Sequence, residues 1–238
     1  MKILSVECSA SPASCAIIDD GKVLAHSFIN ARLTHSQTLM QMIINTLDNS
    51  ATSLCDINRI AVAVGPGSFT GLRIGISAVK GLAAPHNIPC MPISTLDGMA
   101  ESFADRDCVV CAVMDARCNQ FYNALFEIKD GVITRLCSDR ALLADELKAE
   151  ISKISENEQI IICGDGADLF YKYVSELQNV KVAPEHLKFQ SAVGIGTYAY
   201  RNIDTACTVS PENLLPVYLR LPQAERELKA KNNNMEAK

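Results

Sequence analysis

The segment from Ile60 to Ala84 limits most narrowly what this chain can fold into. A short apolar, β-branched run, Ile60 to Val64, reads as a buried strand, and Gly65-Pro66-Gly67 breaks it. Ser68 or Thr70 can then cap a helix that runs until Pro85 stops it. Strand, glycine turn and helix is the arrangement that cradles phosphate, yet the spacing does not fit that use. The glycine after Gly67 is Gly71, one position too early for a phosphate loop, and no Lys-Ser/Thr pair follows it. Counted from Gly65, Thr70 stands where a dinucleotide fingerprint needs its third glycine.

The helix is more informative than the loop. Between Gly71 and Ala83 only Arg73, Ser77 and Lys80 are polar, and at about 100° per residue they fall in one strip. The remaining surface is apolar or small, so the helix is expected to be covered on two sides. Gly71 and Gly75 lie one turn apart with Ala78 beside them, a ridge on which another helix can approach closely. The covering element is either another part of the same fold or a partner protein. His35 to Leu47 reads as a second helix of this kind, its Leu39, Met40, Met42, Ile43, Ile44 and Leu47 spread over a wide arc.

Composition excludes several classes. At 48% apolar and 21% charged residues the chain is globular, and no apolar run approaches the roughly 18 residues of a membrane span. Glu7 and Asp19 interrupt the start too soon for a signal peptide. A net charge of −5 argues against gripping nucleic acid unaided. The ten cysteines are dispersed, mainly in apolar runs. Cys108 and Cys111 sit three apart in a strand and so face opposite ways, with no second pair to complete a zinc site. They read as reduced core thiols, and the compartment as cytoplasmic.

In chain order, Lys2 to Glu7, Ala13 to Asp19 and Lys22 to Phe28 read as strands, the last two joined at Asp20-Gly21. After the Ile60 strand and its helix, Pro85, Pro89 and Pro92 read as a connection, and Ser94-Thr95-Leu96-Asp97 as a capping box opening a helix to about Ala104. The pattern then restarts. Cys108 to Asp115 is a strand ending in an acid, Gln120 to Ile128 a second, and Asp130-Gly131 leads into Val132 to Leu136. A helix over Ala144 to Ser155 and a strand, Gln159 to Cys163, broken at Gly164-Asp165-Gly166 complete the echo. Two tandem β-β-β-α-β-α units predict an N-terminal lobe over 1–104 and a C-terminal lobe over 105–222, facing across a cleft. Ser191 to Asn202 adds a helix, Leu214 to Arg220 an extended segment, and 223–238 a frayed tail.

The duplicated units resemble the actin-like ATPase (ribonuclease H-like) superfamily, an α/β class. Gly65-Pro66-Gly67-Ser68-Phe69-Thr70-Gly71-Leu72-Arg73-Ile74-Gly75 resembles the hallmark of one family within it, TsaB, also called YeaZ. Shorter matches are Ile3 to Glu7, His35-Ser36, Asp115-Ala116-Arg117, Gly164-Asp165-Gly166 and Pro216 to Arg220. The resemblance implies an accessory subunit that dimerises with TsaD. TsaD carries the metal and transfers a threonylcarbamoyl group to the adenosine next to the tRNA anticodon. TsaE, a small ATPase, joins the pair, tRNA is met only within the complex, and isolated members self-associate. Carried onto this chain, the two N-terminal helices imply a partner interface of Leu39, Met42, Ile43, Thr70, Gly71, Arg73, Ile74, Gly75, Ala78 and Leu82.

The chain's own chemistry reads as sparse. Superfamily members that bind nucleotide use an acid-plus-glycine turn after the first strand of each lobe. Here those turns are Glu7-Cys8-Ser9 and Asp115-Ala116-Arg117, and neither has a glycine. Glu7, Ser9, Asp115, Gly164, Asp165 and Gly166 therefore mark a vestigial cleft, with no cofactor expected. His26, His35, His86 and His186 are too scattered to chelate from one helix. His35 is read as contributing to the start of its helix, and Arg73 and Lys80 as solvated or meeting partner carboxylates at the interface rim. The alternatives are a small-molecule kinase or ATPase using the cleft, and a metallopeptidase.

Overall fold

A computed structural model of the chain describes residues 1–220. The tail at 223–238 lies outside the described residues. Three antiparallel strands open the chain: β1 (Lys2–Glu7), β2 (Ala13–Asp19) and β3 (Lys22–Ile29). Helix α1 (His35–Asn49), strand β4 (Arg59–Gly65), helix α2 (Phe69–Ala83), strand β5 (Cys90–Ser94) and helix α3 (Thr95–Glu101) follow. The second half repeats this with β6 (Cys108–Asp115), β7 (Gln120–Lys129), β8 (Val132–Arg135), β9 (Arg140–Leu143), α4 (Ala144–Ser155), β10 (Ile160–Cys163), α5 (Ala167–Val174), β11 (Val180–Val182), α6 (Glu185–Lys188) and α7 (Ala192–Arg201).

The first sheet runs β3-β2-β1-β4-β5 and the second β8-β7-β6-β10-β11, the same order counted within each half. In both, the first three strands are antiparallel and the last two parallel to the first. The duplicated Asp-Gly turns are alike: Asp20 and Gly21 have φ of 45° and 80°, Asp130 and Gly131 of 51° and 75°. Positive φ at both central residues makes the tight turn whose twist matches a hairpin.

Among the described strands and α-helices, four short ones escape the sequence reading: β5, β9, β11 and α6. The prolines near residue 90 mark an edge strand, not a connection. Pro92 sits in β5 at the sheet's border, where its missing N–H costs no ladder bond. The capping box at Ser94 is half formed. Ser94 Oγ accepts from the Leu96 N–H, but the Asp97 carboxylate turns to Arg135 at 2.7 Å.

The lobes exchange helices. Although α3 belongs to the first half, Leu96, Met99 and Ala100 join the core of the second sheet beside Val110, Ala112 and Phe126. Helix α7 returns the exchange, placing Ala192, Ile195 and Ala199 against Ile3, Ala16 and Ala61. The two helices cross at Gly98 and Gly194, where a Cβ on Gly194 would stand 2.0 Å from the Gly98 carbonyl oxygen. A cut at 104/105 would thus leave each sheet without the helix that covers one of its faces. Cys108 and Cys111 enter different core clusters on opposite faces of β6, and all ten cysteines are free thiols.

Candidate functional site

Helix α2 begins where Ser68 Oγ accepts from the Gly71 N–H at 3.2 Å. Ile76 and Val79 are buried in the core of the first sheet and Leu72 is buried beside Gly65, each side chain contributing about 1.5–3 kcal/mol. Gly71 and Gly75, expected from the sequence to form a ridge for a partner, are turned inward instead. A Cβ on Gly71 would lie 2.1 Å from the Cys8 carbonyl oxygen, and one on Gly75 3.4 Å from Cys8 Cβ. The small side is spent on the chain's own first turn. Leu39, Met42 and Ile43 are likewise 1%, 4% and 0% exposed in the core, so they offer nothing to a partner. Ile74, Ala78 and Leu82 are half-buried against that core, and Thr70 and Arg73 are exposed.

The surface of the helix pair that stays open includes residues outside that expected set. Met40 and Ile44, one turn apart on α1, are 41% and 46% exposed, and Leu33 just before the helix is 52% exposed. Helices α1 and α2 touch, and α2 keeps exposed residues of its own at Thr70, Arg73 and Ser77. Met40 and Ile44 lie about 100° round α1 from Leu39 and Ile43, on the flank of the same wide apolar arc, which the arc alone does not rank.

Arg73 is not simply solvated. Its guanidinium lies 3.8 Å over the Phe69 ring, and its Nε donates to the Tyr218 hydroxyl at 3.1 Å. Tyr218 packs on Phe69 with centroids 4.8 Å apart. Lys80 Nζ donates to the Glu212 carbonyl at 3.1 Å. The segment from Leu214 to Arg220 is therefore a strap. Leu214 is buried, the Val217 N–H donates to the Val64 carbonyl at 2.8 Å, and Arg220 Nη1 donates to the Ala116 carbonyl in the second lobe. Arg73 and Tyr218, 145 positions apart in the chain, thus join two of the sequence motifs in one cluster.

Between the lobes lies an open cleft of about 570 Å³, lined by Ser9, Ser11, Asp115, Arg117, Asp165 and Tyr218 among others. The peptide Gly65-Pro66, just before Gly67 of the lining, is cis. In the first lobe the Ser9 N–H donates to Glu7 Oε1; in the second the Arg117 N–H donates to Asp115 Oδ1 at 2.7 Å. Each hairpin thus caps one of its own amides with its own acid. Glu7 is fully buried, its Oε2 without a hydrogen bond, and desolvation pushes its carboxyl up to about 7. Asp165 accepts from Gln190 Nε2 at 2.6 Å, and burial raises it to about 6 against that bond. Gly164 and Gly166 serve packing: Cβ atoms there would stand 1.9 Å from the Val113 carbonyl oxygen and 3.0 Å from the Asp115 amide. His35 opens α1, with its ring Nε2 3.1 Å from the Ser11 carbonyl oxygen. Among the described residues no group of three His, Cys, Asp or Glu side chains is placed to hold a metal ion, and no helix is long and apolar enough to cross a membrane.

Two lobes of one strand order around a cleft define an α/β protein of the actin-like, ribonuclease H-like fold. The solved structure of YeaZ from Pseudomonas aeruginosa shares it, with a TM-score of 0.75 at 24% identity over 92% of this chain and 99% of that one. A family model described as TsaD, tRNA N6-adenosine threonylcarbamoyltransferase, matches residues 22–233. The tRNA threonylcarbamoyladenosine biosynthesis protein TsaB of Escherichia coli is 31% identical over 97% of this chain and 100% of its own length. Its Bacillus subtilis counterpart is 27% identical over 94% and 96%. The chain belongs to the family of that model and, within it, to the TsaB (YeaZ) branch.

Proposed function

We propose that this chain is a non-catalytic subunit in the biosynthesis of threonylcarbamoyladenosine in tRNA, acting in the cytoplasm by pairing with a TsaD-like subunit. The threonylcarbamoyl transfer to the adenosine beside the anticodon then takes place on that partner. A TsaE-like ATPase joins the pair, and tRNA is engaged only in the assembly. The observation that carries the reading is the open apolar surface on α1, where Met40 and Ile44 stand 41% and 46% exposed. Large side chains grouped on a helix face mark a surface made to be covered. The names of the relatives support the pathway, and the cleft supports the division of labour, since its hairpins lack glycine and each caps an amide with its own acid.

The test is a calorimetric titration of the chain with a TsaD-like subunit. Saturable one-to-one binding by the wild type, lost in Met40→Glu and Ile44→Glu variants that melt normally, is the expected result. Equal binding by those variants removes the α1 face from the reading, and no binding by the wild type removes the pairing itself.

A further inference from the structure

We infer that Arg73 is the ion-pairing anchor of the docking face, holding a carboxylate of the partner subunit, with Phe69 and Tyr218 as its positioning residues. This rests on the proposed pairing and specifies which chemistry the partner brings to it. Arginine side chains on a helix surface are ordinarily mobile, and ordering one on binding costs entropy. Here that ordering is already done. The Phe69 ring lies under the guanidinium at 3.8 Å, and the Tyr218 hydroxyl accepts from Nε at 3.1 Å. Those contacts use one face and one edge of the group. Among the described residues Nη1 and Nη2 make no hydrogen bond, so the end of the guanidinium stays available while the side chain remains exposed. A planar fork fixed in this way matches the two oxygens of a carboxylate.

Charge decides between occupants. The protein carries a net charge of −5, yet α1 and α2 together contain a single acid, Asp48, near the far end of α1. The basic residues of α2 are Arg73 and Lys80, and Lys80 already donates to the Glu212 carbonyl. A second copy meeting this surface through the same two helices would bring Arg73 almost no carboxylate. The occupant is therefore a different subunit, one that presents an Asp or Glu within an apolar contact. Positive charge here on an otherwise acidic protein also steers such a partner.

The experiment titrates the full chain with a TsaD-like subunit at low and high salt, comparing wild type with Arg73→Ala, Arg73→Lys and Tyr218→Phe. Arg73→Ala should weaken binding about tenfold or more, and Arg73→Lys should recover little, because an ammonium cannot form the fork. Tyr218→Phe keeps the ring and removes the acceptor, and should cost about threefold. Raising salt from about 0.05 to about 0.5 M should weaken the wild type and leave Arg73→Ala almost unmoved. Wild-type binding with unchanged affinity and salt slope in Arg73→Ala and Tyr218→Phe would overturn the anchor while leaving the pairing intact. A wild type that binds no TsaD-like subunit, but self-associates equally well with or without Arg73, would overturn both.

Discussion

Gly71 and Cys8 meet so closely that a Cβ on the glycine would stand 2.1 Å from the Cys8 carbonyl oxygen. This contact seats the start of α2 on the first turn of the chain, and no side-chain rearrangement can relieve it because the obstacle is backbone. Gly71→Ala should therefore destabilise the fold by about 2–3 kcal/mol. Gly81, in the same helix, faces open space, with nothing within 4 Å of where a Cβ would stand. There alanine should stabilise by about 0.5–1 kcal/mol through helix propensity. Urea unfolding of both variants checks the pair; equal effects would contradict the packing described.

Stability should fall as pH rises from mildly acidic to mildly basic. Burial lifts the Glu7 carboxyl from 4.5 to about 7, so between those values the folded state keeps a proton that the unfolded chain has released. The unfolded state binds fewer protons there, which makes the pH slope of stability negative, on the order of 3 kcal/mol for this group across the window. Glu101 at about 7 and Asp165 at about 6 act in the same direction. Glu7→Gln should flatten the dependence of melting temperature on pH and exceed the wild type at about pH 8. Superimposable pH profiles would contradict this.

Ion pairs should differ sharply by burial. Arg135 ties Asp97 and Asp139 at 2.7 Å each, and Asp97 is 14% exposed. Arg135→Met leaves that carboxylate without its opposite charge and should cost about 3 kcal/mol. Lys148 and Glu176 form a pair in the open, 38% and 58% exposed, and Lys148→Ala should change stability by less than about 1 kcal/mol. Thermal denaturation of the two variants side by side reads the contrast.

The cleft should not take up Mg-ATP. Nucleotide phosphates need close backbone approach at the hairpins, and here Ser9 and Arg117 spend their amides on Glu7 and Asp115 while Asp165 adds a further acid to the lining. Isothermal titration with Mg-ATP is expected to give no saturable heat. Micromolar affinity would restore the kinase or ATPase reading.

The regular parts of the fold were legible because period and turn chemistry agree. Asp20-Gly21 and Asp130-Gly131 announce their hairpins, and the acid-ended strands Lys2–Glu7 and Cys108–Asp115 announce the duplication. Short edge strands were not legible: β9 and β11 span four and three residues, too few to show a period. The exchange of α3 and α7 was hidden as well, since a helix's apolar stripe does not say which sheet it will meet.

The exposed apolar surface of α1 and α2 was legible as a property of two helices but not residue by residue. Both helices are apolar over a wide arc, yet the structure turns Leu39, Met42, Ile43, Gly71 and Gly75 inward and leaves Met40, Ile44 and Arg73 outside. Which side of a broad stripe faces inward depends on where the sheet lies, and that is a tertiary fact. The tie between Arg73 and Tyr218 crosses 145 positions and carries no local pattern.

The most direct measurement is a reconstituted tRNA-modification assay with purified components, scoring threonylcarbamoyladenosine with this chain alone, with a TsaD-like and a TsaE-like protein added, and with Ile44→Glu in place of the wild type. No product is expected from the chain alone, product from the full set, and loss of product with a correctly folded Ile44→Glu variant. Product from the chain alone, or undiminished product with Ile44→Glu, would contradict the proposed division of labour.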